Sequence, residues 1–329
     1  MCAKWNSFMK IALCLAAVFM LAFVAGCTGS ESKAPAATPA PAASSPDMLQ
    51  ATFAATPAAT PAASASTQVP VPAGQKQTIK ISGSTTVLPI VQMAADKYME
   101  THDGADIQIS GGGSGVGIKA IGAKTVDIGM SSREVTDKEM GTYPGLVITT
   151  VAQDGIAVIV NPKNEIQYIT LDQIKNIYLG KITKWSEIST ANVPGTNNQI
   201  VVIGRDSASG TRAYFDEELL AKKTPTNKML EKNSNGAVLQ TVAQTPGAIG
   251  YVSIGFVSDD VKAVPIWYNA QRIVAPSLEN VKAHEYPVYR DLYVITNGQP
   301  TGLSSDFIAY ILGPEGQKMV ADEGYVTVI

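Results

Sequence analysis

Histidine and cysteine are scarce in this sequence of 329 residues, and their positions exclude several kinds of site. Only His102 and His284 could supply an imidazole, which leaves little material for a zinc centre or for catalysis by a histidine base. All three cysteines, Cys2, Cys14 and Cys27, lie near the N-terminus, so no disulfide or thiolate metal site can form in the chain beyond them. We therefore expect neither a metal nor another cofactor.

An excess of positive charge is also missing. The formal net charge is −3, from 25 basic and 28 acidic residues, so no basic field attracts nucleic acid. Hydrophobic residues make up 45% of the chain, which is ordinary for a globular protein and suffices for two domains of normal size. Any anion that this protein binds has to be held by local dipoles and a few charges.

The N-terminus has the pattern of an export signal. Lys4 and Lys10 precede an uncharged apolar run over residues 11–24, and the tetrad 24–27, Val-Ala-Gly-Cys, resembles the lipobox of secreted lipoproteins. We predict a lipoprotein-type signal peptide over residues 1–27 that ends at a lipidated Cys27. The alternative is an uncleaved anchor helix, and both readings place the rest of the chain outside the cytoplasm, attached to the cell membrane.

A segment rich in Ala, Pro, Thr and Ser follows the signal. Asp47 is the only charged residue between Lys33 and Lys76. Such a composition has too few large apolar groups to offset the entropy of ordering, and its prolines keep the chain extended. Residues 28–75 are predicted to form a disordered stalk that holds a folded part away from the membrane.

Beyond the stalk, short β-rich runs alternate with helical patterns. This alternation favours an α/β fold with largely parallel sheets. Strands are predicted at 78–82, 106–110, 125–130, 155–160, 200–204, 247–252 and 286–296, and helices at 87–99, 118–124, 171–178, 211–222, 238–244 and 305–312.

Three clusters of small and hydroxyl residues fall where a predicted strand leads into a helix. They are 82–86 (SGSTT), 110–115 (SGGGSG) and 204–212 (GRDSASGTR). A helix N-terminus presents free N–H groups and a partial positive charge, which suits a phosphate-like anion. Each cluster alone is more commonly a set of helix caps. Three in one chain, one of them with an arginine, indicate a shared anion site.

Together these clusters resemble the phosphate-binding component of phosphate ABC transporters, a family of type 2 periplasmic binding proteins. Residues 83–86 look like its first phosphate loop, 113–115 its second, 126–133 its third, and 205–211 its arginine-plus-SGT loop. The resemblance implies an α/β fold of two lobes, with mixed sheets flanked by helices and a ligand cleft between the lobes. We expect residues 76–154 and 256–329 to form the first lobe and residues 155–255 the second.

The resemblance also implies a function and a set of ligand residues. It predicts a monomeric solute-binding protein, not an enzyme, that captures inorganic phosphate and delivers it to permease subunits of an ABC transporter. The ligand residues carried over from the family are Ser84, Thr85, Thr86, Ser114, Arg205, Ser209, Gly210 and Thr211. We add Ser132, Arg133 and Asp154 as further candidate ligand residues.

One position departs from the family pattern. The best-known branch has an acidic side chain where this chain has Ser132, and that side chain accepts the proton of hydrogen phosphate. A buried carboxylate there rejects sulfate, which has no proton to donate. We take Asp154 as the candidate acceptor, with a turn or hinge residue as its alternative role, and expect Asp206 to orient Arg205 or Arg212.

Other functions stay open at this point. The anion could be tungstate, molybdate or sulfate instead of phosphate. The clustered hydroxyls also fit an exported phosphatase-like hydrolase, although no histidine lies near any cluster. A surface protein that uses the fold for adhesion or signalling is a further possibility.

Overall fold

The computed structural model describes residues 76–188, 191, 193, 198–269 and 272–329. The predicted signal peptide, Cys27 and the stalk lie outside the described residues. None of the helices within the described ranges has the length and apolar character needed to cross a membrane.

Strands and helices alternate along the described chain, as predicted. The strands are β1 (Gln77–Gly83), β2 (Ala105–Ser110), β3 (Ile128–Ser131), β4 (Leu146–Val160), β5 (Ile169–Thr170), β6 (Val201–Arg205), β7 (Leu230–Lys232), β8 (Ala248–Ser253), β9 (Lys262–Ala263), β10 (Ile266–Tyr268), β11 (Arg272–Val274) and β12 (Tyr289–Asn297). The helices are α1 (Leu88–Thr101), α2 (Ser114–Gly122), α3 (Asp137–Thr142), α4 (Leu171–Tyr178), α5 (Gly210–Glu218), α6 (Asn235–Gln244), α7 (Leu278–Lys282), α8 (Gly302–Leu312) and α9 (Pro314–Asp322).

Local sequence explains where several helices begin and which face they bury. Thr170 caps α4 in a reciprocal capping box with Gln173, and Ser209 and Ser234 cap α5 and α6. Helix α1 tolerates Pro89 because that residue lies in its opening turn. Backbone N–H groups in the first turn have no partner within the helix, so the missing N–H of proline breaks no hydrogen bond. The buried residues of α1 recur with helical spacing, so one stripe of the helix faces the sheet.

The main sheet is mixed, which confirms the predicted fold class. Its strands follow the order β2-β1-β3-β12-β4-β8-β6-β7, and β9 pairs with β4. Pairing is parallel between β1, β2 and β3 and between β6, β7 and β8, whereas β12 and β4 run antiparallel to their neighbours. The parallel parts are the βαβ units that the sequence predicted, and two long antiparallel strands join them.

Two large hydrophobic cores divide the folded part into two lobes. The first lobe packs β1, α1, β2 and β3 with residues after 291. The second lobe packs residues 156–288, together with Val326. Strand β4 runs through both cores, with Ala152 in the first and Ile156 in the second, so the chain crosses between lobes within one continuous strand.

The observed packing corrects one predicted boundary between the lobes. The sequence-based division returned the chain to the first lobe at residue 256, but Val264, Ile266, Val274 and Val281 are buried in the core of the second lobe. They belong there because β9 pairs with β4 and β10 pairs with β5, both within that lobe. The return crossing lies at the start of β12, where Tyr289 pairs with Gly155.

Candidate functional site

The carboxyl ends of β1, β3 and β6 each lead into residues that the sequence predicted as ligands. Strands β1 and β3 are parallel neighbours, so Ser84 and Ser132 emerge at the same edge of the sheet. The Ser84 hydroxyl accepts hydrogen bonds from the amides of Thr86 and Val87, at 3.2 and 3.4 Å, and thereby shapes the turn into α1. The Ser114 hydroxyl accepts one from the Ser132 amide at 3.0 Å, which joins the second and third loops.

Glycines allow the two lobes to touch across the cleft. The amide of Gly115 donates to the carbonyl of Ala208 at 3.0 Å, a backbone hydrogen bond between lobes. Gly113 has φ +98°, and a Cβ there would lie 2.5 Å from the same carbonyl oxygen. A Cβ on Gly210 would lie 2.1 Å from the Ser114 hydroxyl oxygen. Larger side chains at these positions would hold the lobes apart.

Hydroxyls from the two lobes also meet at the centre of the cleft. The Oγ1 atoms of Thr86 and Thr211 are 3.2 Å apart, and both residues are buried. The amide side chain of Asn235 donates to Thr86 Oγ1 at 2.9 Å. Thr86 lies just before helix α1 and Thr211 lies in the first turn of α5, so the starts of two helices converge here.

Arg205 reaches the cleft from the end of β6. Its side chain is 1% exposed, and its Nη2 donates to Thr85 Oγ1 of the first lobe at 3.2 Å. Nε and Nη2 also donate to the carbonyls of Lys232 and Asn233, which fix the guanidinium plane. Burial lowers the pKa of Arg205 to about 10, so it remains cationic at neutral pH.

A second arginine, Arg290, lies in the same cleft at the start of β12. Its Nη2 donates to Asp154 Oδ2 at 2.8 Å and to Thr211 Oγ1 at 3.0 Å, and lies 3.4 Å from Thr86 Oγ1. Asp154 is its register partner on β4, and both side chains of this ion pair are buried. Burial raises the pKa of Asp154, and the neighbouring Arg290 guanidinium opposes that shift.

The charges of this site do not balance. Among the described residues, the buried charged side chains are Asp154, Arg205 and Arg290, which together carry +1. Within the same residues, the buried Nη1 atoms of Arg205 and Arg290 have no hydrogen-bond partner. Because an unpaired buried cation is costly, this arrangement favours an anion at the site.

Comparisons with known proteins agree with this geometry. The family profile of the PBP superfamily domain matches residues 40–315. The phosphate-binding protein PstS of Bacillus subtilis is 36% identical over 252 residues, which cover 76% of this chain and 81% of that protein. The chain belongs to the PstS family of the PBP superfamily.

Solved structures of phosphate-binding proteins support the assignment of the fold. One, from Clostridium perfringens, is described as a phosphate ABC transporter substrate-binding protein with bound phosphate. It superposes with a TM-score of 0.70 and 33% identity, and the match covers 77% of this chain and 100% of that structure. Another, an ABC-type phosphate transport receptor from Vibrio cholerae, has a TM-score of 0.62 and 29% identity, with coverage of 76% and 99%. The resemblance seen in the sequence is therefore confirmed at the level of family and fold.

Most of the predicted ligand residues come together in the cleft. Those placed there, or in the loops that line it, are Ser84, Thr85, Thr86, Ser114, Ser132, Asp154, Arg205, Ser209, Gly210 and Thr211. Ser209 contributes as the cap of α5, because its hydroxyl accepts from the Arg212 amide at 3.2 Å.

Arg133 is the exception among the predicted ligand residues. Its guanidinium forms two hydrogen bonds of 2.8 Å to the carboxylate of Glu139 and donates to the carbonyl of Glu134. The side chain thus joins the capping box that begins α3 and does not reach the PstS cleft. The expectation for Asp206 was also wrong, because its carboxylate accepts from the Ala208 amide, while Arg212 pairs with Asp216 and Glu231.

Arg290 and Asn235 were missed in the sequence, although Arg290 left a signal there. Burial alternates along β12, so Arg290 shares the inward face with Leu292 and Val294. An arginine on the core face of a strand needs a buried partner or ligand. Asn235, in the first turn of α6, had no comparable signal in the sequence, because asparagine is common at helix starts.

Proposed function

We propose that this chain is an extracytoplasmic solute-binding protein that captures inorganic phosphate between its two lobes and delivers it to the permease subunits of an ABC transporter. The observation that carries the proposal is the buried cluster of net charge +1, in which the Nη1 atoms of Arg205 and Arg290 have no partner among the described residues. Hydroxyls and helix N-termini surround these cations, which suits a small oxyanion with several acceptor oxygens.

The relatives support phosphate as the ligand. The Bacillus subtilis protein bears the name phosphate-binding protein, and the Clostridium perfringens structure was solved with phosphate bound. The clusters through which this chain resembles that family are the ones that line the cleft. In this proposal Ser84, Thr85, Thr86, Ser114, Ser132, Arg205, Ser209, Gly210 and Thr211 bind phosphate through hydroxyls, amides and one guanidinium.

Location and partners follow from the sequence of the N-terminus. The apolar run that ends at Cys27 supports export and lipid anchoring, and the stalk over residues 28–75 gives the folded part reach toward a permease in the same membrane. The protein acts as a monomer without a cofactor and does not catalyse a reaction.

A second candidate ligand is a fully deprotonated oxyanion such as sulfate, tungstate or molybdate. One specific observation favours it: both oxygens of the Asp154 carboxylate already accept hydrogen bonds from neighbouring residues. Asp154 therefore offers no free acceptor for a proton on the ligand, and an anion without a proton needs none.

Titration calorimetry on the full-length chain tests the proposal. Phosphate is expected to bind one site with a dissociation constant of about 1 μM or below, corresponding to roughly −8 kcal/mol. Absence of phosphate binding together with tight binding of tungstate or sulfate would overturn the assignment of the ligand. Turnover of p-nitrophenyl phosphate by the same preparation would instead favour an exported hydrolase.

A further inference from the structure

Arg290 lies where the chain crosses between the lobes. Strands β4 and β12 pair antiparallel at this crossing, and Arg290 lies opposite Asp154 in their register. From there its Nη2 contacts Thr86 of the first lobe and Thr211 of the second. One guanidinium therefore contacts both lobes and the strand that joins them.

The carboxylate of Asp154 is fully occupied. Its Oδ1 accepts from the Ser253 hydroxyl at 2.7 Å and the Ile254 amide at 3.2 Å. Its Oδ2 accepts from Nε and Nη2 of Arg290, at 3.2 and 2.8 Å. An ionised carboxylate has about four lone-pair sites, so these four donors leave none for a ligand. Asp154 is thus arranged to hold Arg290 in place.

The same guanidinium also sets the direction of a hydroxyl. Arg290 Nη2 donates to Thr211 Oγ1 at 3.0 Å, so the Thr211 proton points away from Arg290. Thr86 Oγ1 accepts from Asn235 Nδ2 at 2.9 Å, and its longer 3.4 Å contact with Nη2 shares the two protons for which Asp154 and Thr211 are the nearer acceptors. Either threonine can donate in their 3.2 Å contact, and donation by Thr86 leaves the Thr211 proton for another acceptor.

We propose that Arg290 is a second cationic ligand of the bound anion, through its free Nη1, and that Asp154 is its positioning residue rather than the acceptor of a ligand proton. Arg290 also orients the Thr211 hydroxyl as a donor to the anion. This inference rests on the proposed function. It adds to it a ligand residue and a different role for the site's buried carboxylate.

A set of matched variants tests the role of Arg290 by calorimetry with phosphate. The double variant Asp154→Asn/Arg290→Gln removes both members of the buried ion pair, so neither charge is left without its partner and the variant is expected to fold. Its phosphate affinity should fall about 10- to 100-fold, because a charge-assisted hydrogen bond is lost. Arg290→Lys keeps the positive charge, so it should bind phosphate more tightly than the double variant and more weakly than the wild type. Arg272→Gln removes an exposed, surface-paired guanidinium and should stay within about twofold of the wild type.

The role of Asp154 is tested by the variant Asp154→Asn with phosphate and sulfate. Loss of the positioning charge should weaken phosphate binding and should not increase sulfate binding. A proton-accepting carboxylate predicts the opposite for sulfate, so a gain in sulfate affinity, or an unchanged phosphate affinity, overturns the positioning role. Thermal unfolding without ligand identifies any loss of folded protein.

The outcomes separate this inference from the proposed function. A wild-type chain that fails to bind phosphate contradicts the proposed function before any variant is made. A wild-type chain that binds phosphate and a double variant that binds it equally well contradict only the role of Arg290.

Discussion

The two faces of the cleft use different chemistry. The first-lobe face presents neutral groups, the hydroxyls of Ser84, Thr85, Thr86, Ser114 and Ser132. The opposite side presents two buried cations, Arg205 from the second lobe and Arg290 from the crossing strand. The hydroxyls on one face are thus placed to orient a ligand, and the two arginines on the other side supply positive charge.

In the proposed function, this division would couple closure of the lobes to binding of the anion. Hydrogen bonds to an ionised group are about twice as strong as neutral ones, so the cations should account for most of the affinity. If the lobes close as proposed, the Nη1 atoms of Arg205 and Arg290 lose water and have no hydrogen-bond partner among the described residues until an anion is present. The neutral groups carry a smaller penalty of the same kind. The anion would therefore stabilise the closed arrangement, because it accepts from the donors that closure buries.

The largest expected effect is on the cationic side. Arg205→Gln removes a guanidinium that is 1% exposed and whose Nη1 is free, and phosphate affinity should fall about 100-fold or more. Arg205→Lys keeps the charge but loses the two fixed carbonyl contacts, so it should bind with intermediate affinity. Calorimetry gives the affinities. If Arg205→Gln lost less affinity than the removal of one first-lobe hydroxyl, the ranking of the two faces would be wrong.

The parts of the fold that the sequence predicted are those with a strong local pattern. Helix α4 was predicted at its observed bounds, Leu171–Tyr178, because its buried residues and its capping threonine follow the helical rules closely. The first half of β4, residues 146–154, was missed. It lies at the crossing between lobes, and its burial there depends on pairing with β12, which is distant in sequence. Local patterns do not encode such pairing.

The residues of the candidate site also divide into those that a local sequence pattern predicts and those that it does not. The glycine and serine clusters that start helices could be found because their spacing is local. Arg133 was wrongly included because it follows Ser132 directly, yet its side chain leaves the cleft to pair with Glu139. Arg290 was missed because its role arises from a strand register and from two threonines that are 204 and 79 residues away. Side-chain direction and long-range register decided both cases.

A smaller effect is expected on the neutral face. Thr86→Val preserves shape but removes the hydroxyl that accepts from Asn235 and Arg290, so phosphate affinity should fall about 10-fold. Thr86→Ser keeps the hydroxyl and is the matched control, with an affinity expected within about threefold of the wild type. Calorimetry on the pair separates the hydroxyl from the shape. A loss of affinity in Thr86→Ser as large as that in Thr86→Val would contradict this, because the threonine methyl group would then matter as much as the hydroxyl.

The smallest effect on binding is expected just outside the cleft, at the ion pair between Arg133 and Glu139. Glu139→Gln should leave phosphate affinity within about twofold of the wild type, because the Arg133 and Glu139 side chains pair with each other at the start of α3, outside the cleft. It should lower the free energy of unfolding at pH 7 by about 1–2 kcal/mol. The effect is no larger because both side chains of the pair are partly exposed, and water weakens their attraction.

The contribution of this ion pair to the free energy of unfolding should depend on pH. Hydrogen bonds from Arg133 lower the pKa of Glu139 from 4.5 to about 2 in the folded chain. A lowered folded-state pKa stabilises the fold fully above the unfolded value and loses that contribution as the pH falls through the folded value. Urea unfolding should therefore show a wild-type advantage over Glu139→Gln that is constant near neutral pH and shrinks as the pH falls from 4.5 toward 2. An advantage that grew in acid would contradict the lowered pKa of Glu139. A loss of phosphate affinity at pH 7 would place this ion pair within the binding machinery and remove the distinction between the arginines that face the cleft and the one beside it.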